Sequence, residues 1–154
     1  MGDVQERNRE VLDAVRVRRD ALYDSLMALE HALASPTSGR PTDWCAPLHD
    51  RVGDVRTVLD AHVRETEGEG GFFDDVRDQA PQLLHAVEQL RAEHDSLLAA
   101  TDDLESEIDA ARDAGDVASV RAAGVELIRR LLEHRHRGAE LVYDAYQVDI
   151  SAAD

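Results

Sequence analysis

Three of the chain's seven histidines stand where a helix would place a leucine. His62 follows Leu48, Val52, Val55 and Leu59 and precedes Thr66 at steps of three or four residues; His94 lies in the same way among Leu83, Val87, Leu90, Leu97, Thr101, Leu104 and Ile108. His134 continues Val117, Val120, Gly124, Leu127 and Leu131 and is followed by Gly138, Leu141 and Ala145. Alternation of three and four residues is the spacing of a helix with one buried face. A buried imidazole needs a partner, since an unpaired polar group inside costs ~1 to 3 kcal/mol. Two chemistries satisfy three at once. One is a divalent metal ion held by neutral imidazole nitrogens, which suit zinc, iron, copper and nickel alike. The other is a metal-free layer in which the histidines bond to each other, to Glu65, to Thr66 and to water. His31, His49, His85 and His136 fall between stripe positions and are expected at the surface, with His85 and His31 the first exceptions to look for.

Positioning these side chains requires long helices. A first segment, about Val4 to Ala34, carries the stripe Leu12, Val15, Arg19, Leu22, Leu26, Leu29, Leu33 and stops at "SPTSGRP", a loop by its Pro, Gly and Ser content. The second runs from about Trp44 to Thr66 and is closed by "EGEGG". The third starts between Phe72 and Pro81, proline being suited to a first helical turn, and ends near Asp113. The fourth follows "DAGD", with Asp116 as its N-cap. Four amphipathic helices with short loops predict an all-α protein, an antiparallel up-down four-helix bundle formed by residues 1–154 as one domain. Counting the ~1.5 Å rise per residue from one end of such a bundle, His62, His94 and His134 all lie roughly 25 to 29 Å along, and the matching turn of the first helix contains Arg19. The predicted layer is Arg19, His62, His94 and His134, with Glu65, one turn beyond His62, as a fourth metal ligand or as a partner for Arg19.

Composition removes other classes. The 154 residues include 33 acidic and 17 basic side chains, a formal charge of −16, and every basic one is arginine. Such a surface repels phosphate backbones and anionic membranes, so neither nucleic acid nor membrane is an expected partner. With 43% hydrophobic and 4% aromatic residues, the core is built of leucine, valine and alanine. Cys45, the only cysteine, excludes an intrachain disulfide and a thiolate metal cluster and reads as a small packing residue beside Trp44. The N-terminus "MGDVQERNREV" has no apolar stretch, and no run approaches the ~18 apolar residues of a membrane span, so a reducing, cytoplasmic location is expected. "EGEGG" makes a poor phosphate cradle, since its glutamates repel phosphate and no lysine follows. No nucleophile arrangement supports a hydrolase, and Tyr143, Tyr146 and Asp149 are read as docking the chain's end over the bundle.

One histidine on each of three helices, "AEHDSLL" on the third, the stretch "LDAHVRETEGEGGFFDDVRDQAPQLLHAVEQLRAEH" and the end "HRHRGAELVYDAYQVDI" resemble the hemerythrin-like, HHE cation-binding domains over nearly the whole chain. The resemblance implies a four-helix bundle with a non-haem di-iron centre, bridged by carboxylates, that serves oxygen binding, oxygen or nitric oxide sensing, iron storage or peroxide handling. His62, His94 and His134 match histidine positions of that pattern. Arg19 stands where the pattern has the first-helix histidine, Thr66 where it has the second-helix glutamate, Leu90 where it has a further third-helix histidine, and Gly138 near the expected fourth-helix carboxylate. Three imidazoles without a bridge do not offset two buried divalent charges, and Arg19 adds a positive one unless Glu65 or Glu67 neutralises it. Three readings remain: one metal ion, iron before zinc, on His62, His94 and His134 with Glu65 or water, and with Arg19, Thr66 and Gly138 around a small pocket for a diatomic gas or other small ligand; a metal-free pocket for a small ligand; and a structural bundle. Closed helices favour a binding or sensing protein over an enzyme, with redox chemistry at iron as the enzymatic alternative. Gly138, costing ~1 kcal/mol against alanine in a helix, leaves room for a ligand, for the Arg19 guanidinium or for close helix packing.

Overall fold

A computed structural model describes residues 2–37 and 40–152, and the side chains of these up to Tyr146; Asp149 therefore lies outside the residues whose side chains are described. The described residues are helical apart from turns, in the order α1 (Gly2–Ala34), α2 (Pro41–Glu67), α3 (Phe72–Gln79), a 3₁₀ turn (Pro81–Leu83), α4 (Leu84–Ala114) and α5 (Val117–Ala152). The four long helices form a bundle in which α1 and α4 each pack against both α2 and α5.

Local chemistry sets the ends of these helices. Pro41 opens α2 at its first turn, three residues before the expected start at Trp44, because its missing N–H is one that a first turn leaves unbonded anyway. Gly115, at φ +73°, ends α4 in the left-handed conformation and returns its N–H to Ala111 O at 2.8 Å. Asp116 then caps α5, its Oδ1 accepting from Ser119 N at 3.1 Å. The third long helix begins at the Pro81 limit of its expected start, and a separate short helix precedes it. Ala80 sits at φ −138°, ψ 63°, outside the helical region that a following proline disfavours, and the chain makes the short α3, a corner and the 3₁₀ turn before α4 begins.

Buried positions on α2, α4 and α5 follow the expected stripes, down to His94, Thr101 and His134. On α1 the register differs: Leu12 is exposed, whereas Asn8, Val11 and Val15 are the half-buried positions. A seam spaced 8, 11, 15, 19, 22, 26 continues the Leu22–Leu26 face, and Leu12 lies one residue outside it. Two aliphatic clusters result. The larger draws on α1, α2, α4 and α5, from Leu22 to Leu131, and the smaller gathers Phe73, Val76, Ala80, Val87, Leu90, Leu141 and Ala145.

Cross-helix bonds record which heights meet. Trp44 Nε1 donates to Ser35 O at 3.1 Å, and Arg121 donates to Leu33 O and Ser35 O at 3.0 and 2.9 Å, satisfying carbonyls at the end of α1. Further along, Arg135 Nε donates to Arg19 O at 3.2 Å, Arg56 pairs with Asp102, and Arg130 donates to Ser96. Cys45 is fully buried beside Trp44, as its neighbours suggested. No helix among the described residues is long and apolar enough to cross a membrane.

Candidate metal centre

The three stripe histidines converge between the two aliphatic clusters. His94 sits between Leu90 of the smaller cluster and Leu97 of the larger, and His134 between Leu131 of the larger and Leu141 of the smaller. His94 and His134 are buried, while His62, at the end of α2, is half-buried. Their Nε2 atoms point at one another: His94 to His134 at 3.1 Å and His134 to His62 at 3.3 Å, with ligand atoms of all three within 4.8 Å. A tetrahedral ion with metal–nitrogen bonds of ~2.05 Å holds its ligand nitrogens about 3.3 Å apart.

The outer nitrogens fix the tautomers. His94 Nδ1–H donates to Glu67 Oε2 at 3.1 Å, and His134 Nδ1–H to Glu93 Oε2 at 2.7 Å. Carboxylates accept and do not donate, so both imidazoles carry their proton on Nδ1 and turn a bare Nε2 lone pair inward. Each carboxylate is itself steadied by an arginine, Glu67 by Arg91 at 3.2 Å and Glu93 by Arg137 at 2.9 Å. Burial works to raise the Glu93 carboxyl, but its bonds with His134 and Arg137 outweigh that and hold it below the usual range. Phe73 of α3 stacks on His94, with ring centroids 5.7 Å apart and planes 11° from parallel.

All three histidines are pushed toward the neutral state. Desolvation is the largest cause in each case, and it exceeds the opposing pull of Glu67 on His94 and of Glu93 on His134. Among the described residues no carboxylate is bonded to His62; burial, then His94, His134 and Arg18, takes it down to about 3.

No protein-family model, curated protein or solved structure matches this chain. The expected residues divide into three groups. His62, His94 and His134 form the cluster. Arg19, Thr66 and Gly138 line one cavity of about 60 Å³ with the histidines, together with Phe72 and Phe73. Thr66 Oγ1–H does not serve the imidazoles: it lies 2.9 Å from His62 O and 3.2 Å from Val63 O of its own helix.

Glu65 stands apart from the cluster. It is exposed and pairs with Arg18, neither completing a metal site nor reaching Arg19, because one residue short of Thr66 on α2 its side chain leaves the core face. Among the described residues, the carboxylates bonded to these three histidines are Glu67 and Glu93, and both act from the Nδ1 side. Neither lies among the Nε2 atoms, where a bridge between two ions would stand. The residues present fit one ion, not the carboxylate-bridged pair that the resemblance implies.

Elsewhere, His31, His85 and His136 are exposed and His49 is the half-buried exception, with Glu105 and Asp109 at 3.7 and 3.6 Å. Tyr143 is exposed, and Tyr146 stacks on Phe72 at 6.5 Å between centroids.

Proposed function

We propose that this protein is a hemerythrin-like, antiparallel up-down bundle that binds a single divalent metal ion, non-haem iron first and zinc second, on His62, His94 and His134. The observation that carries the reading is the pair of Nε2 lone pairs facing each other across 3.1 Å with both tautomers locked by carboxylates. Two such lone pairs repel; His62 Nε2–H at 3.3 Å can satisfy that of His134 but not both, whereas one cation takes all three nitrogens. A shared proton is opposed by the burial that keeps both rings neutral. Carboxylate behind histidine, histidine before metal, is the arrangement by which proteins orient imidazole ligands and raise their basicity.

The up-down arrangement is supported by which residues meet. Ser35 meets Trp44 while Arg18 meets Glu65; His49 approaches Asp109 while Glu67 reaches His94; Leu33 meets Arg121 while Arg19 meets Arg135. In each helix pair, one number rises as the other falls.

An ion on three neutral nitrogens keeps at least one position for an outside ligand, and iron there would supply reversible binding of, or electron exchange with, a diatomic gas such as oxygen or nitric oxide. The small cavity suits a binding or sensing protein more than an enzyme with a substrate cleft. Metal analysis of untagged protein by inductively coupled plasma mass spectrometry tests the reading. The expected result is about one ion per chain, lost in both His94→Ala and His134→Ala. Protein that stays metal-free when offered iron or zinc overturns it and leaves a metal-free bundle. A visible band that responds to oxygen identifies redox-active iron; a colourless protein with tightly bound zinc excludes it.

A further inference from the structure

The cavity beside the histidines is lined by three arginines, Arg18, Arg19 and Arg135, and by no carboxylate. In a chain with 33 acidic and 17 basic residues that is a local inversion of charge. Two of the three arginines are committed. Arg18 pairs with Glu65, and Arg135 donates to Arg19 O with its guanidinium 5.3 Å from the Tyr23 ring. Arg19 is half-buried, and its Nε is buried with no hydrogen-bond partner among the described residues. A buried N–H left without an acceptor is costly. The carboxylate that acts on Arg19 by charge is its neighbour Asp20, which is exposed, while burial and Arg135 both weigh against the Arg19 positive charge.

We propose that this cavity receives one small planar oxyanion, of carboxylate or nitrite size, gripped by the Arg19 guanidinium on one side and ligating the metal ion of the three histidines on the other. The inference rests on the metal reading above and extends it to the ligand's chemistry. A guanidinium and a divalent cation in one small cavity repel each other, and an anion between them removes the conflict. The planar N–H fork of arginine matches two oxygens of one such anion. A cavity of about 60 Å³ has room for an ion of roughly three heavy atoms. Gly138 keeps that room: a Cβ built there meets nothing within 4 Å, so the glycine borders open space and not a packed helix.

Cobalt(II)-loaded protein titrated with formate tests the proposal, since cobalt's visible bands report both the three-histidine site and any change in its ligands. Formate is expected to shift the bands saturably, and formamide, its uncharged counterpart, to leave them unchanged. Arg19→Gln, which removes the charge that repels the metal, should bind cobalt at least as tightly as the wild type but need at least about tenfold more formate, the loss of one charge-assisted bond. Gly138→Leu, whose side chain takes up the cavity while Arg19 itself is kept, should still bind cobalt and lose the formate response. Equal formate saturation in Arg19→Gln, an undiminished response in Gly138→Leu, or no response in the wild type overturns the proposal while leaving the metal site standing. Failure to bind cobalt at all, seen before formate is added, overturns the metal reading and the proposal with it.

Discussion

Glu93 and Glu67 do their work behind the imidazoles, by choosing which nitrogen carries the proton. Such carboxylates are worth about 10- to 100-fold in metal affinity. Glu93→Ala and Glu67→Ala are each expected to weaken cobalt or zinc binding by that factor while leaving the helical circular-dichroism spectrum unchanged, measured by competition with a chromophoric chelator. Equal affinity in both variants would mean that the tautomers are set by something else. The neutral histidines also give the metal-free chain a pH dependence. In the folded state their pKa values are below 6.5, with His62 down to about 3, so below pH 6.5 the unfolded chain takes up protons that the folded one refuses. Stability is therefore retained above that pH and lost as pH falls through the window from about 6.5 toward 3, by up to about 1.4 kcal/mol per pH unit for each histidine that stays neutral. Urea melts of metal-free protein at pH 7 and pH 5 check this, and His62→Gln should flatten the slope. The histidines were legible in the sequence because they interrupt aliphatic stripes at helical spacing. Glu93 was not: it lies one residue before His94, off the α4 stripe, and its side chain crosses to His134 on α5. A one-residue offset from a buried position carries no sign of which neighbouring helix the side chain will reach.

Two glycines of α5 share a stripe and differ in purpose, which only their surroundings separate. A Cβ at Gly124 would stand 2.6 and 2.9 Å from the Leu33 methyl carbons, so this glycine lets α1 approach α5, whereas Gly138 borders the cavity. Gly138→Ala is expected to stabilise the protein by up to ~1 kcal/mol through helix propensity, raising Tm by about 2–4 °C. Gly124→Ala gains the same propensity but must displace a buried leucine, and overpacking of about 1–3 kcal/mol cancels or reverses that gain. Thermal melts in which Gly124→Ala rises as much as Gly138→Ala would refute the distinction. The helices themselves were readable from period and punctuation, including Asp116 as a cap and "EGEGG" as a stop. The break at Ala80–Pro81 was not placed, because proline serves equally in a first helical turn and after a corner. On α1 the misplaced Leu12 shows why leucine alone does not fix register: Asn8 and Val11 hold the seam, and the polar member hid it.

Across the molecule, the histidine layer separates the larger aliphatic cluster from the smaller one and joins α2, α4 and α5 at a single point, while α1 contributes no histidine to it. The buried side chains of α1 begin only at Leu22, so its first five turns rest on half-buried contacts. An ion held on the three histidines would therefore stabilise the bundle unevenly. An ion that binds the folded chain alone stabilises it by about 4 kcal/mol at a thousandfold excess over Kd, or roughly 8–16 °C in Tm for a chain of this size. That gain should vanish in His134→Ala. Its distribution is the sharper test. In hydrogen exchange, amides around His62, His94 and His134, and those of α3 whose Phe73 stacks on His94, are expected to slow on loading with zinc. Amides of the first half of α1, opened by local fraying that no metal ligand opposes, should exchange at the same rate with and without the ion. Slowing confined to α1, or none near the histidines despite a higher Tm, would place the ion elsewhere on a surface rich in carboxylates. Slowing of α1 that appears only when formate is added with the metal would tie Arg19, and through it the fourth helix of the bundle, to the bound anion.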